Sequence, residues 1–249
     1  MPDVFLSPST QEYNPYYGGG NEEYYMNILT DALIPYLDAS GISYGRNDTA
    51  GTFLDSVRRS NTKDYSLHLA LHSNASPPQS AGRARGSQVY YYPIGENSAR
   101  AADIFAGELK RIYPDPQLVN TIPTTALGEI VKTRAPAVLI ETAYHDNPED
   151  AEWIRDNIDE LAKALALGIG EYLGKEISEP SPGGYGTVTT RGGSLNLRAE
   201  PTVNSGVRAA IPNGTRLKLI SRSGEWFLTE YNGIVGYVNS AYIRRDSQG

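Results

Sequence analysis

The chain has 249 residues, 39% hydrophobic and 20% charged, a balance that suits an ordinary folded protein and argues against global disorder. It contains no cysteine, which excludes disulfides and thiolate metal sites; any metal must be held by the three histidines, His68, His72 and His145, by carboxylates or by neutral oxygens. The net charge of −7 is unevenly spread: from Tyr185 onward eight basic side chains stand against four acidic ones, so this tail carries +4 and the remainder −11, which directs the tail toward an anionic surface.

No apolar stretch approaches the ~20 residues of a membrane span. The first residues, Met-Pro-Asp-Val-Phe-Leu-Ser-Pro, lack the basic start and apolar core of a signal peptide. The expectation is a protein that does not enter a membrane and stays cytoplasmic until release, or one whose leader has already been removed.

In chain order, a short strand is predicted over 4–6. A helix follows over 22–37, where apolar residues fall at 25, 26, 29, 33, 36 and 37 with Asn21 as N-cap; Pro35 within it predicts a kink or an early end. A strand over 41–44 and a helix over 53–61 come next. The run Leu67-His68-Leu69-Ala70-Leu71 reads as a buried strand that stops at His72-Ser73-Asn74. Strands over 87–92 and 137–140 and helices over 97–113 and 148–173 complete a βαβα alternation. The fold class is therefore α/β, a mainly parallel sheet with helices on both faces.

The stretch 176–184, rich in Pro, Gly and Ser and without apolar periodicity, marks a boundary. Beyond it, strand-like segments at 187–190, 194–198, 216–220, 226–231 and 234–238 crowd together, as in a small all-β barrel. The expected organisation is a catalytic domain over 1–174, a linker over 175–186 and a β module over 187–246.

Two apolar strands end in ionisable residues: His72 after 67–71, and Glu141 after Ala137-Val138-Leu139-Ile140. Open α/β folds place their chemistry at such strand ends, and a histidine with a glutamate there suggests a metal and a general base. Glu22 and Glu23 begin the first long helix; acids there suit the helix dipole, and one of them facing the sheet edge would add a metal ligand. His68 shares a face with His72 but lies about 13 Å away at ~3.3 Å per residue, too far to share an ion.

Several pieces, in order, resemble the zinc-dependent N-acetylmuramoyl-L-alanine amidases of bacterial and phage cell-wall lysis. They are Glu23-Tyr24-Tyr25-Met26-Asn27; Arg46 with Leu54 and 58–61; Leu69-Ala70-Leu71-His72-Ser73-Asn74-Ala75; Gly86-Ser87-Gln88-Val89-Tyr90-Tyr91; and 136–148, which carries Glu141. The family's opening motif, whose histidine binds zinc, is replaced here by Ser7-Pro8-Ser9-Thr10-Gln11-Glu12, with Thr10 at the aligned position. The resemblance implies zinc as cofactor, Glu23 and His72 as ligands, and Glu141 as the base that takes a proton from water and returns it to the leaving amine. The third ligand is open: the Gln11 amide oxygen, His145, or none. The implied reaction is cleavage of the amide between N-acetylmuramic acid and the L-alanine of the stem peptide, with peptidoglycan as partner and no nucleic acid; oligomeric state is not constrained. A catalytically inactive wall-binding protein and a zinc peptidase acting on stem peptides are the alternatives. Asn74 is expected to hold the loop after His72 or to orient substrate, and Tyr13, Tyr16, Tyr17, Tyr24 and Tyr25 to surround the site.

The tail resembles a bacterial Src-homology-3-like domain of the wall-binding kind. The resemblance rests on Leu195-Asn196-Leu197-Arg198-Ala199-Glu200-Pro201, Ile211-Pro212-Asn213-Gly214-Thr215, Gly224-Glu225-Trp226 and 233–238. It implies tethering to peptidoglycan, with Trp226 filling the barrel.

Overall fold

The sheet that positions the site is built on β1 (Val4–Pro8), whose five residues are all buried. A computed structural model of the protein describes residues 2–180 and 184–246. The chain divides into two units, Met1–Ser178 and Glu179–Gly249.

In the first unit β1 is followed by α1 (Glu22–Ala39), β2 (Tyr44–Arg46), α2 (Phe53–Ser60), β3 (Leu67–Asn74), β4 (Gln88–Tyr91), α3 (Glu96–Ile112), β5 (Asn120–Pro123), α4 (Gly128–Lys132), β6 (Ala137–Tyr144), α5 (Pro148–Asp156) and α6 (Ile158–Leu173). The six strands lie in the order β2-β1-β3-β6-β4-β5. Every pairing is parallel except β4 with β6. The apolar runs of β3 and β6 are buried over nearly their full length because both faces of the sheet are covered.

The elements depart from the sequence expectations in instructive ways. Pro35 neither ends nor shortens α1, which runs on to Ala39; Leu33, Tyr36 and Leu37 are buried on either side of it, and that packing holds the helix together. The single helix expected over 148–173 is two, broken at Asn157, which closes α5 through a bond from its backbone N–H to the Trp153 carbonyl and opens α6 by accepting from Leu161 N–H at 2.8 Å. The strands β3 and β6 run past the apolar stretches, so His72 and Glu141 lie within strands and are register partners across the sheet. β5 and α4 were not anticipated, being four and five residues long with no periodicity to reveal them.

The end of β6 is cross-braced. The buried carboxylate of Asp150 accepts from the backbone N–H of Gly86 at 2.9 Å and of Tyr144 at 3.0 Å, and from the Tyr113 hydroxyl at 2.5 Å. Gly86 stands at φ +109° with its α-carbon against the Leu118 carbonyl, a place where a side chain would not fit.

Residues 175–178, expected to be linker, hold to the first unit: Lys175 Nζ donates to Asp3 at 2.8 Å and Ser178 N–H to Ser40 Oγ at 2.9 Å. Ser181, Pro182 and Gly183 of the expected linker lie outside the described residues.

The second unit holds β7 (Tyr185–Val188), β8 (Leu195–Arg198), β9 (Val207–Ile211), β10 (Arg216–Ser223), β11 (Trp226–Tyr231), β12 (Ile234–Asn239) and β13 (Ile243–Arg245). They pair antiparallel in the order β13-β7-β10-β11-β12-β8-β9 around a core of Val188, Leu195, Leu197, Ile211, Leu217, Leu219, Phe227, Val238 and Ile243. The β11–β12 hairpin turns at Asn232-Gly233, both with positive φ, which suits the right-handed twist of its strands. Trp226 is buried, and lines a groove of about 860 Å³ with Arg191, Arg198 and Tyr242.

Candidate metal and catalytic site

The carboxyl ends of parallel strands β1, β3 and β6 meet at one edge of the sheet, and the N-terminus of α1 comes to the same place. Asn21 caps α1 by accepting from Tyr24 N–H at 2.9 Å. This fixes which of the two leading acids faces the sheet, since successive helical residues point about 100° apart. The carboxylate that arrives is that of Glu22, not Glu23: Glu22 is buried, and its Oε1 lies 2.8 Å from His72 Nδ1. Glu23 is half-buried one position on, its carbonyl accepting from Asn27 Nδ2 at 2.7 Å.

Gln11 also arrives, though not with its oxygen foremost. The Asn14 amide donates to Glu22 Oε2 at 2.6 Å, and a carboxylate only accepts, so that atom of Asn14 is its NH₂. The same NH₂ is 3.0 Å from the outer atom of the Gln11 amide, which is therefore the oxygen, and the Tyr13 hydroxyl donates to it as well at 3.4 Å. What Gln11 turns toward His72 Nδ1, at 3.3 Å, and Glu22 Oε1, at 3.5 Å, is its amide nitrogen. Amide orientation is assigned from this network.

His145 takes no part in this group. Its Nδ1 lies 2.8 Å from the Ser73 carbonyl and its ring stacks on Tyr16 at 5.1 Å between centroids. Tyr16 donates to Ser73 Oγ at 2.7 Å and packs on Tyr25, which meets Tyr24 edge-on. Three of the five tyrosines thus pack against one another, while Tyr13 and Tyr17 are exposed. Asn74 holds the chain after His72, accepting from Ala75 N–H at 2.8 Å and donating to Gln88 at 3.0 Å.

Sequence reasoning missed Glu129. The short α4 is fixed by Ile130, buried with Ala70, Ala137 and Leu139, and by Asn61, which donates to the Lys132 carbonyl and accepts from Arg134 N–H. This sets the Glu129 carboxylate on the face of β3 that carries both His68 and His72. Its Oε1 is 3.1 Å from His68 Nε2 and also accepts from the Ser7 hydroxyl; its Oε2 is 3.5 Å from His72 Nε2. The far nitrogen of His68 is 3.0 Å from Ser60 Oγ. Only a helical pattern longer than five residues would have made Glu129 legible.

The electrostatics follow from burial and partners. Burial alone would depress the His72 imidazole, but the carboxylates of Glu129 and Glu22 hold it well above its usual range. Burial would raise Glu22, yet the bond and charge of His72, with Asn14, keep it below the ordinary carboxylate value. Glu129 is lowered against its burial by His68 and His72. Glu141 behaves in the opposite way. Burial pushes it up to about 7, the charge of His72 opposing and that of Glu22 adding to the rise, and its Oε2 is sealed from solvent with no hydrogen-bond partner among the described residues. A cleft of about 570 Å³ reaches His72, Glu129 and Glu141, walled by Gln11, Tyr13, Phe53 and Leu54.

Among the described residues no group of three or more His, Cys, Asp or Glu side chains is arranged to hold a metal ion. The donors that do converge, His72 Nδ1 and Glu22 Oε1, are an imidazole and a carboxylate, both zinc-type ligands. The buried Oε2 of Glu141, without a hydrogen-bond partner among the described residues, is the further sign that a cation suits this pocket. The residues fit a divalent cation with two protein donors.

An ionisable trio at the carboxyl edge of an open α/β sheet, with one carboxyl tuned close to neutrality, is the equipment of a hydrolase. Residues 11–171 match the family described as N-acetylmuramoyl-L-alanine amidase, and residues 193–244 match the bacterial SH3 domain. The chain belongs to the N-acetylmuramoyl-L-alanine amidase family, one that is generally zinc-dependent. The amidase LytC of Bacillus subtilis (strain 168) is 28% identical over 143 residues, which are 55% of this chain and 28% of LytC. The chain therefore spans little more than a quarter of that relative's length. Among solved structures, the amidase AmiC2 of Nostoc punctiforme superposes with a TM-score of 0.62 at 19% identity, covering 70% of this chain and 97% of that one. The catalytic domain of the CD27L endolysin targeting Clostridia difficile does so at 0.56 and 19%, covering 72% and 100%. These two likenesses concern the fold.

Proposed function

We propose that the protein hydrolyses the amide between N-acetylmuramic acid and the L-alanine of the peptidoglycan stem peptide, with Glu22 and His72 holding a zinc ion and Glu141 as general base and acid. The observation that carries this reading is Glu141: a carboxyl pushed up to about 7, unpartnered at Oε2, on the strand next to His72 and open to the cleft. A group poised near working pH can both take and give a proton.

The chemistry that zinc supplies when bound is Lewis-acid polarisation of water and of the scissile carbonyl. His72 and Glu22 fix where that polarisation acts. Glu141 accepts the proton of the attacking water on its carboxylate and later delivers it to the leaving alanine nitrogen. Gln11 steadies the Glu22 carboxylate through its amide nitrogen. Tyr13, Phe53 and Leu54 offer apolar surface along the cleft, against which the glycan or stem peptide is held and water excluded. The basic second unit, with its groove at Trp226 and Arg198, serves as the wall tether and raises the local concentration of substrate.

Digestion of purified peptidoglycan tests this reading. New N-terminal alanine, lost on chelation and restored by zinc, is the expected product. New N-termini of other stem residues would mark a peptidase, and intact peptidoglycan an inactive wall-binding protein.

A further inference from the structure

The two histidines of β3 share one carboxylate. Glu129 sits between them with each oxygen on a different ring, Oε1 at 3.1 Å from His68 Nε2 and Oε2 at 3.5 Å from His72 Nε2. All three side chains are buried, so the arrangement is built and not a chance meeting of surface groups. A chain of polar contacts runs without a break from Ser60 through His68, Glu129, His72 and Glu22 to Asn14.

An imidazole that offers one nitrogen to a ligand needs its other nitrogen held, because a free ring turns about its last torsion and presents either edge. At His72, Nδ1 faces Glu22 and Nε2 faces Glu129. At His68 both nitrogens are taken up, by Ser60 and Glu129, and neither faces the cleft. The Ser7 hydroxyl donates to Glu129 Oε1, which favours keeping that oxygen on the His68 side and Oε2 on the His72 side.

We propose that Glu129 is a positioning residue for His72: its Oε2 takes the Nε2–H of the ring and so keeps Nδ1 turned to Glu22. This rests on the reading of Glu22 and His72 as the metal seat. His68 and Ser7 anchor the carboxylate that does the positioning. A divalent cation then meets a ring already oriented, which raises affinity with no further ligand.

The test compares the full-length wild type with Glu129→Gln, Glu129→Leu and His68→Gln. In Glu129→Gln the Ser7 hydroxyl keeps the amide oxygen on the His68 side, so an NH₂ faces His72 Nε2–H. Two quantities are read. The first is the Nε2–H resonance of the His72 imidazole in metal-free protein, assigned by its absence from His72→Asn and told from Nδ1–H by its ring couplings, and its protection from solvent exchange. The second is the zinc dissociation constant from competition with a chromophoric chelator. Wild type is expected to show a protected His72 N–H. Glu129→Gln is expected to lose that protection and to weaken zinc binding about tenfold or more. His68→Gln, whose amide still donates to Glu129, is expected to keep the protection and to bind zinc within about threefold of wild type. Glu129→Leu should behave as Glu129→Gln; if it fails to fold, the glutamine variant decides. The proposal is overturned if Glu129→Gln keeps the protected N–H, or if it binds zinc as wild type does. Equal weakening in Glu129→Gln and His68→Gln overturns it as well, since that would mark a merely structural network. Failure of the wild type to bind zinc would instead remove the metal reading, and Glu129 would then stand or fall on the N–H signal alone.

Discussion

His68 and His72 stand on the same face of the same strand, four residues apart, and touch the same carboxylate, yet they do opposite things. The remaining nitrogen of His68 ends on a serine hydroxyl, in a fully enclosed pocket. The remaining nitrogen of His72 ends on Glu22 and borders the cleft. Burial does not separate them, since both are buried. What separates them is the element that covers each ring: α2 closes over His68 with Ser60, while the loop before α1 brings Gln11 and Asn14, and the first turn of α1 brings Glu22, to His72. A histidine becomes chemically available through its second neighbour, and that neighbour is distant in the chain.

The comparison breaks most sharply at the cleft end. Glu141→Gln removes the proton carrier and is expected to lower kcat by about 10³-fold, within the usual range for general acid–base groups, while zinc affinity stays within about threefold. Release of N-terminal alanine from peptidoglycan gives the rate; a rate within tenfold of wild type would exclude Glu141 as the base.

Next in size is the cleft's ligand count. His72→Ala removes one of two donors and is expected to weaken zinc binding by about 10²-fold or more, measured by chelator competition. Gln11→His is expected to move affinity the other way, tightening it about tenfold, because an imidazole nitrogen replaces an amide nitrogen that cannot ligate. If Gln11→Ala instead weakens binding tenfold, the amide oxygen is a ligand and the assignment through Asn14 is wrong.

The pH dependence is smaller and has a defined sign. Glu141 is raised from its ordinary 4.5 to about 7 in the fold, so the folded state retains a proton that the unfolded state gives up. Stability of the metal-free protein is therefore expected to decline as pH rises from about 4.5 to about 7, and Glu141→Gln to flatten that decline in denaturant titrations. Zinc nearby favours the ionised carboxyl, so the acid limb of kcat/KM should fall below pH 7 in the metal-loaded enzyme.

The smallest effect concerns the basic tail. Arg191→Glu with Arg244→Glu, both exposed, is expected to reduce retention on isolated cell walls several-fold and to lessen its dependence on salt. Cleavage of a small soluble muropeptide should be unaffected.

Much of the fold is legible in the sequence because its central strands are continuous apolar runs, and only a sheet covered on both faces asks for those. His72 and Glu141 stand out for the same reason: each interrupts such a run. Glu22 against Glu23 is not decidable from composition, since the choice turns on the capping angle set by Asn21 and on Asn14 reaching back across the loop. Glu129 is invisible because its helix is a single turn long and its position comes from Ile130 and Asn61, contacts far apart in sequence. The identity of the atom that Gln11 presents is likewise a property of the network and not of the residue.

The Asp150 carboxylate has a consequence for how the cleft can move. By gathering Gly86, Tyr144 and Tyr113 onto one buried anion, it makes the strand that bears Glu141 a fixed wall. The opposite bank is less tied down: Thr52 caps a short helix there, and Phe53 and Leu54 in its first turn carry exposed side chains. The carboxyl proposed as the base is thus set on an anvil, and the apolar bank facing it is the side left free to yield.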